Sequence, residues 1–503
     1  MKKFYIMVVC CWLFSFSGNA QQVPSPVPDY WIKSDSSLRE DQLNFNPGFR
    51  SDSLHVWDSL WLILEHGEVT VFVVYQIGDT AAEQGLWSIE ASNGATIGLT
   101  TRKLLTEYGS MHYSNLNRPE VVVNSLSLSF SEEVPDSSLA LLRIGYCDSL
   151  TFGGKIAEFI FFNQRISDTL WQQWISYLGV KYGATLEGVN YISSEKEITW
   201  NATLNGTHAF SICGIGRDDN FGLYQKQSYG MNHRLIFGVG EPAERNDLNV
   251  NTFKNEHFML LGSDSIGLAT SRYLYLNNGL ELQTYGNFKI QVTGDTMHRL
   301  PTFLQVDASE FEGELSAYSL LIDESGVGEY ELSGLKDYLP TFIDTLNKIL
   351  YYSHLLFDED GSGSDVFCFA RLTSIPPQTL GHVSNPDLHF ISEAVNSSPY
   401  EYKYSEMSMK NRAIIESAYS DSQGNFYFLY PNPTSGNFTL QLQYTGVTDV
   451  KITFYNSEGK EVKKWYGEGQ SHYIFSSSLN MQGHYLLDII SDYEHKGIKM
   501  IVQ

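Results

Sequence analysis

Apolar and aromatic residues in this chain gather into short runs, cut apart by Gly, Ser, Asn and Asp, the residues that turn a backbone. Runs of that length, rich in Val, Ile, Tyr and Phe, suit pleated, half-buried strands. VTVFVVYQIG from Val69, GLWSIEAS from Gly85, PEVVVNSLSLSF from Pro119 and SLALLRIGY from Ser138 are therefore expected strands. One stretch breaks the pattern. In SDTLWQQWISYLGVKYG, Leu170, Trp174, Leu178 and Tyr182 recur every four residues, and Trp171 and Ile175 widen the stripe. Ser167 stands at the N-cap position, Asp168 in the first turn, Lys181 in the last turn and Gly183 at the stop. A helix is predicted there, its aromatic stripe facing a core.

Strand patterning resumes between Glu187 and His382, with FKIQVTGD, YSLLIDESG and LLFDEDGSGSD among its marks. Periodicity then fades, and residues 383–423 read as a linker with one helical turn around Arg412 to Ala418. From Gly424 to Gln503 the pattern is sharpest: a Pro-Asn-Pro turn, a Glu458-Gly459 hairpin turn and seven short strands, enough for a small sandwich. The expected division is 1–20 signal peptide, 23–186 first β domain, 187–382 second β domain, 383–423 linker and 424–503 terminal β domain.

The N-terminus sets the compartment. Lys2 and Lys3 precede an apolar stretch too short to span a membrane, and Gly18-Asn19-Ala20 offers cleavage between Ala20 and Gln21. Val9 before Cys10 does not fit a lipoprotein signal. Secretion through Sec follows. The remaining cysteines, Cys147, Cys213 and Cys368, form no metal spacing and no disulfide framework; each is expected as a small buried apolar residue, with one bridge plus one free thiol as the alternative. The formal charge of −25 repels phosphate backbones and anionic lipid, which excludes nucleic acid as a partner.

Several segments resemble known families. GKIAEFIFFNQRISDTLWQQWISYLGVKYG, with YWIKSDSS and LNFNPGF upstream, is similar to a concanavalin A-like, laminin-G-like jelly roll. Trp200 to Thr203, Gly214 to Asp219 and Gly222 to Ser228 resemble a block that follows such domains in surface proteins of the phylum Bacteroidota, and which carries no known activity. The tail resembles the type A C-terminal sorting domain of the type IX (Por) secretion system. The marks are Tyr430, Pro431, Asn432 and Pro433, then Gly436, Gly459, Gly483 and Lys499. These resemblances imply a mainly β, multi-domain chain: a concanavalin A-like sandwich, a second β-sandwich-like domain and a small immunoglobulin-like sandwich. They imply the type IX translocon as partner, delivery to the outer cell surface or medium, and attachment of many such proteins to surface lipopolysaccharide.

Chemistry is sparse. Concanavalin A-like folds host lectins and β-glucanases alike, so residues must decide. The E-x-D-x-x-E pattern that would set paired acids on one strand face is absent from the first domain, and Glu65, Glu68 and Glu158 are isolated. No catalytic residues are assigned; a non-catalytic adhesin-like or structural surface protein with a glycan or protein ligand is expected. A secreted carbohydrate-active hydrolase is the alternative. Paired carboxylates on the concave face of the first domain would favour that alternative, an aromatic and polar groove the binding protein. Only D-E-D-G-S-G-S-D invites a metal. Asp358, Asp360 and Ser362 occupy positions 1, 3 and 5 of a calcium loop, Gly363 supplies its turn, and Asp365 follows. Phe369 stands where an EF-hand has its bidentate Glu, and strands flank the loop, so a solvated acidic turn is the competing expectation to Ca²⁺. Arg217, Asp218 and Asp219 read as a salt-bridged turn.

Overall fold

A computed structural model describes residues 23–33, 42–50, 60–64, 67–106, 109–112, 116–130, 138–276, 280–331, 334–374, 418–420, 426–430, 437–456, 459–479, 481–492 and 495–502. The signal peptide with its Ala20–Gln21 junction, Pro431, Asn432, Pro433 and Gly436 lie outside them. The fold is mainly β and multi-domain. Two compact units divide between Ser397 and Ser398.

In the first unit, Tyr30–Lys33, Lys155–Phe162, Glu68–Gln76 and Val122–Ser129 lie side by side in one sheet, with Phe49–Arg50 also on Lys155–Phe162. A second sheet orders Gly109–His112, Lys103–Thr106, Thr96–Thr100, Gly85–Ala91, Ser138–Ile144 and Leu60–Leu64. Val69, Val71, Val73 and Tyr75 point inward to meet Trp87, Ile89 and Leu142 of the facing sheet. Phe72 and Val74 point the other way, into a cluster with Ile160, Phe162, Trp174 and Leu178. Burial on both faces explains why VFVVY, from Val71, is continuously apolar, where a one-sided strand would alternate.

The helix, Asp168–Tyr182, covers that outer face. Ser167 Oγ accepts the Leu170 amide and Gly183 closes the helix at φ 61°. The left-handed stop requires glycine twice over, because a Cβ would stand 3.0 Å from the Tyr229 carbonyl oxygen. The helix's aromatic stripe is core, as its spacing predicts. Ile212, Phe258 and Leu260 from beyond the helix join the same cluster, so both halves of the unit share it.

Beyond the helix, an eight-stranded sheet centres on His257–Ser263, Glu281–Thr293 and Ser364–Ser374. A five-stranded sheet runs Gln227–Gly230, Leu235–Val239, Thr302–Asp307, Ile349–Leu355, Phe342–Asp344. Ile215, Met259, Phe288 and Phe367 pack with Phe237, Leu304 and Tyr352 in its core. Cys147, Cys213 and Cys368 are free and buried, which agrees with the apolar expectation and not with a bridge. Among the described residues no helix is long and apolar enough to cross a membrane.

The second unit is antiparallel throughout, with strands Ala418–Ser420, Phe426–Tyr430, Asn437–Asn456, Glu461–Ser478, Gly483–Ser491 and His495–Val502. Its first described strand starts at Ala418, the last residue of the expected helical turn, whose residues 412–417 lie outside the described residues. Two long strands replace several of the short ones predicted: the Asn437–Asn456 register shifts between Gln443 and Thr448 and again before Val450. The chain bends there instead of turning, held by Thr448, whose carbonyl accepts the Tyr473 hydroxyl and whose Oγ1 accepts the Asp492 amide. Leu440, Ile452, Phe454, Leu487 and Ile498 form its core.

Candidate functional site

Two places in the first unit gather polar chemistry. At the first, Asp358, Asp360, Ser362 and Asp365 come together in the turn between strands Ile349–Leu355 and Ser364–Ser374. Oxygens of the three aspartates lie within 4.8 Å of one another. Asp358 adopts φ 59° and Gly363 φ 92°, so the chain folds back over its own carboxylate. Asp358 Oδ1 accepts the Gly363 amide at 2.6 Å, and Asp360 Oδ1 accepts the Ser362 amide at 3.0 Å. Ser362 Oγ donates to the Ser364 carbonyl at 3.1 Å and reaches Asp358 Oδ1 at 3.5 Å.

Asp365 enters through pairing the turn alone does not reveal: its strand lies against Glu281–Thr293, with Asp365 opposite Ile290. That register buries it. Burial first, then the carboxylates of Asp358, Glu324 and Asp360, push its carboxyl up to about 8, and burial raises Asp358 as well. Of the three aspartates only Asp360 is exposed, alongside Glu359, Gly361 and Ser362, while Asp358 and Asp365 are buried. Hard oxygen donors in such a cluster have the chemistry of a calcium or magnesium site.

The second place is a groove of about 770 Å³ whose walls include Arg118, Tyr182, Glu187, Tyr229, Met231 and His233. Tyr229 stacks on Phe45 at 4.0 Å between centroids, with the His233 ring 4.3 Å away on a tilt. Asn44 fixes this wall: its Oδ1 accepts the Tyr229 amide at 2.7 Å, while Nδ2 donates to the Lys181 carbonyl at 3.0 Å. Asn44, Phe45, Ser211, Met231, Asn232 and His233 all have left-handed φ, a conformation that costs a non-glycine residue energy. Arg118 pairs with Glu187 at 3.9 Å, and its Nε is buried without a hydrogen-bond partner. Sequence reasoning missed this groove, because its walls come from six separate stretches of the chain and non-glycine left-handed residues leave no mark in a sequence.

Glu158, the acid of the I-A-E strand, belongs to neither place. It is fully buried, bonded to Lys181 Nζ at 2.7 Å, Tyr182 at 2.9 Å, Tyr177 at 2.9 Å and Trp31. Burial alone would raise its pKa; the ammonium groups of Lys181 and Lys33 and the bonds from Lys181 and Trp31 outweigh that and hold it low. Arg217 grips Asp219 through two bonds at 2.7 and 3.0 Å, and Asp218 instead accepts Ser194 Oγ at 2.8 Å.

In the tail, Tyr430 ends a strand opposite Thr439, Gly459 takes φ 77° in the hairpin turn, Gly483 faces Val502, and Lys499 faces Leu486. Residues 428–503 match the secretion system C-terminal sorting domain. That match supports secretion by the type IX system and localisation at the cell surface. The sorting domain also implies contact with the type IX machinery. Residues 171–349 match a domain of unknown function, DUF8202; the match begins inside the helix and ends before the acidic turn. No curated protein matches.

Among solved structures, a cycloisomaltooligosaccharide glucanotransferase of Paenibacillus sp., complexed with cycloisomaltoheptaose, aligns at 6 % identity and TM-score 0.14 over 69 % of this chain and 46 % of that one. The chain thus spans less than half of that enzyme. The BSP domain of a biofilm associated protein aligns at 9 % identity and TM-score 0.15 over 94 % of this chain and 84 % of its own. A glycosyl hydrolase family 2 member from Bacteroides cellulosilyticus aligns at 8 % identity and TM-score 0.12, covering 40 % and 27 %. Likenesses this distant carry no functional argument.

Proposed function

We propose that this chain is a non-catalytic binding protein delivered to the outer cell surface, with its ligand, a glycan or a protein, taken by the first unit. The observation that carries the reading is the sorting-domain match over residues 428–503, which directs the search to extracellular partners. The groove beside Tyr229 supports binding: a stacked aromatic wall gives a face for a sugar ring or an apolar side chain, and Arg118 and Asn44 give the polar setting around it. Glu158 itself is not available to the hydrolase alternative, since a fully buried carboxylate locked by an ammonium and three ring donors cannot pass protons to a substrate. A laminin-G-like reading of the first two sheets, and attachment to surface lipopolysaccharide after export, belong to the same proposal.

Fractionation of the native host tests it, with the full chain compared to a version ending at Ser397, where the compact units divide. The full chain is expected on the surface or in the medium and the truncated one in the periplasm. Equal export of both would overturn the assignment of the tail, and with it the extracellular role.

A further inference from the structure

Three carboxylates converge at the turn before strand Ser364–Ser374, with ligand oxygens within 4.8 Å of one another. Like charges at that separation repel, and removal from water raises the cost of each. Asp365 adds a second, independent observation. It is 1 % exposed, and although Oδ2 accepts the Asp358 amide at 2.7 Å, Oδ1 is buried with no hydrogen-bond partner. Buried carboxylate oxygens are ordinarily satisfied. Asp323, on the neighbouring strand and also 1 % exposed, shows the ordinary solution: Ser325 N and Oγ bond one oxygen, and the Gly328 and Tyr330 amides bond the other. Nor does the neighbouring ammonium serve Asp365, since Lys336 is engaged by Glu324 and, at 2.6 Å, by Glu359.

We propose that Asp358, Asp360 and Asp365 hold a calcium ion, with Oδ1 of Asp365 as its buried ligand and Asp360 as its exposed one. The donor set is oxygen alone, without the His or Cys that would favour zinc or copper. Three protein carboxylates gathered in one turn suit Ca²⁺, which takes six to eight oxygen ligands, better than Mg²⁺, which keeps several waters and is held by one or two carboxylates. Ser362, whose hydroxyl lies 3.4 Å from the Glu324 carbonyl, places further oxygens at the turn, and water can complete the six to eight ligands calcium takes. Bound there, the ion would tie the turn to a central strand of the eight-stranded sheet. The proposal stands apart from the export reading and does not depend on it.

The test is calorimetric titration of the full chain, stripped with EDTA and dialysed, with CaCl₂ and separately with MgCl₂. One calcium site of about 0.1–1 mM affinity, typical of extracellular modules, is expected, with magnesium weaker. Asp360→Asn changes an exposed side chain and should leave the fold intact while weakening calcium by about tenfold or more, because affinity follows ligand charge. Asp365→Asn keeps the acceptor for the Asp358 amide and should abolish binding. No binding by the wild type at about 10 mM Ca²⁺, well above that range, would overturn the proposal. So would undiminished affinity in a folded Asp360→Asn protein, or magnesium binding as tightly as calcium.

Discussion

Glu158 and Asp365 are the same chemical group under opposite conditions. Both are carboxylates withdrawn from water on sheet strands of the first unit. Around Glu158 stand the Lys181 ammonium, two tyrosine hydroxyls and the Trp31 indole, and its charge is held. Around Asp365 stand one amide and other carboxylates, and its charge is opposed. A buried acid surrounded by donors is part of the framework, and removing it orphans the partners. A buried acid among acids has a partner of another kind to find. Burial alone therefore says little about a carboxylate's role; the sign and number of its neighbours decide it.

The largest effect that would break this contrast is expected at Glu158. Glu158→Ala strands a partly buried ammonium and two buried tyrosine hydroxyls, and should cost about 3 kcal/mol in urea denaturation. A loss no greater than that of a surface substitution would remove the framework role. Asp323→Ala sharpens the middle ground, a carboxylate held by three backbone amides and the Ser325 hydroxyl. Its loss should be smaller, about 1–3 kcal/mol by the same measurement, because amides left unbonded carry no net charge. Ser167→Ala, which removes the N-cap at the opposite end of the helix from Tyr177, Lys181 and Tyr182, should cost about 1 kcal/mol. Its unfolding midpoint should fall without a change in denaturant dependence.

Glu241 offers a subtler comparison, because burial raises it to about 7 while the Tyr351 hydroxyl partly offsets that. Its folded pKa exceeds the unfolded one, so between about 4.5 and about 7 the native state holds a proton that the unfolded chain has released. The stability it contributes is complete below that window and lost as pH rises through it. Glu241→Gln should flatten the decline in stability between those pH values, and an unchanged slope would place the titrating group elsewhere.

Much of this was legible beforehand. The helix announced both ends through Ser167 and Gly183, and the I-A-E strand runs into it as read. The spacing of Asp358, Asp360 and Asp365 showed which acids would meet, since a tight glycine turn is local geometry. What makes Asp365 distinctive was not legible, because its burial follows from pairing with Ile290, far away in the chain. Glu158 looked isolated for the same reason: Lys33 is set opposite it by cross-strand register, and Trp31 arrives on the same distant strand. The tail's short strands were read one by one, yet a bend at Thr448 costs fewer hydrogen bonds than a turn and leaves long continuous strands. Periodicity reports faces; it does not report whether two runs are joined by a bend.

The contrast is tested most directly by one urea denaturation series in EDTA, comparing wild type, Glu158→Gln and Asp365→Asn. Both substitutions remove a charge and keep the shape. The account predicts that Glu158→Gln is clearly less stable than wild type, whereas Asp365→Asn is as stable or more so, relieved of an opposed buried charge. Equal losses in the two variants would contradict it, and would make Asp365 a framework carboxylate like Glu158.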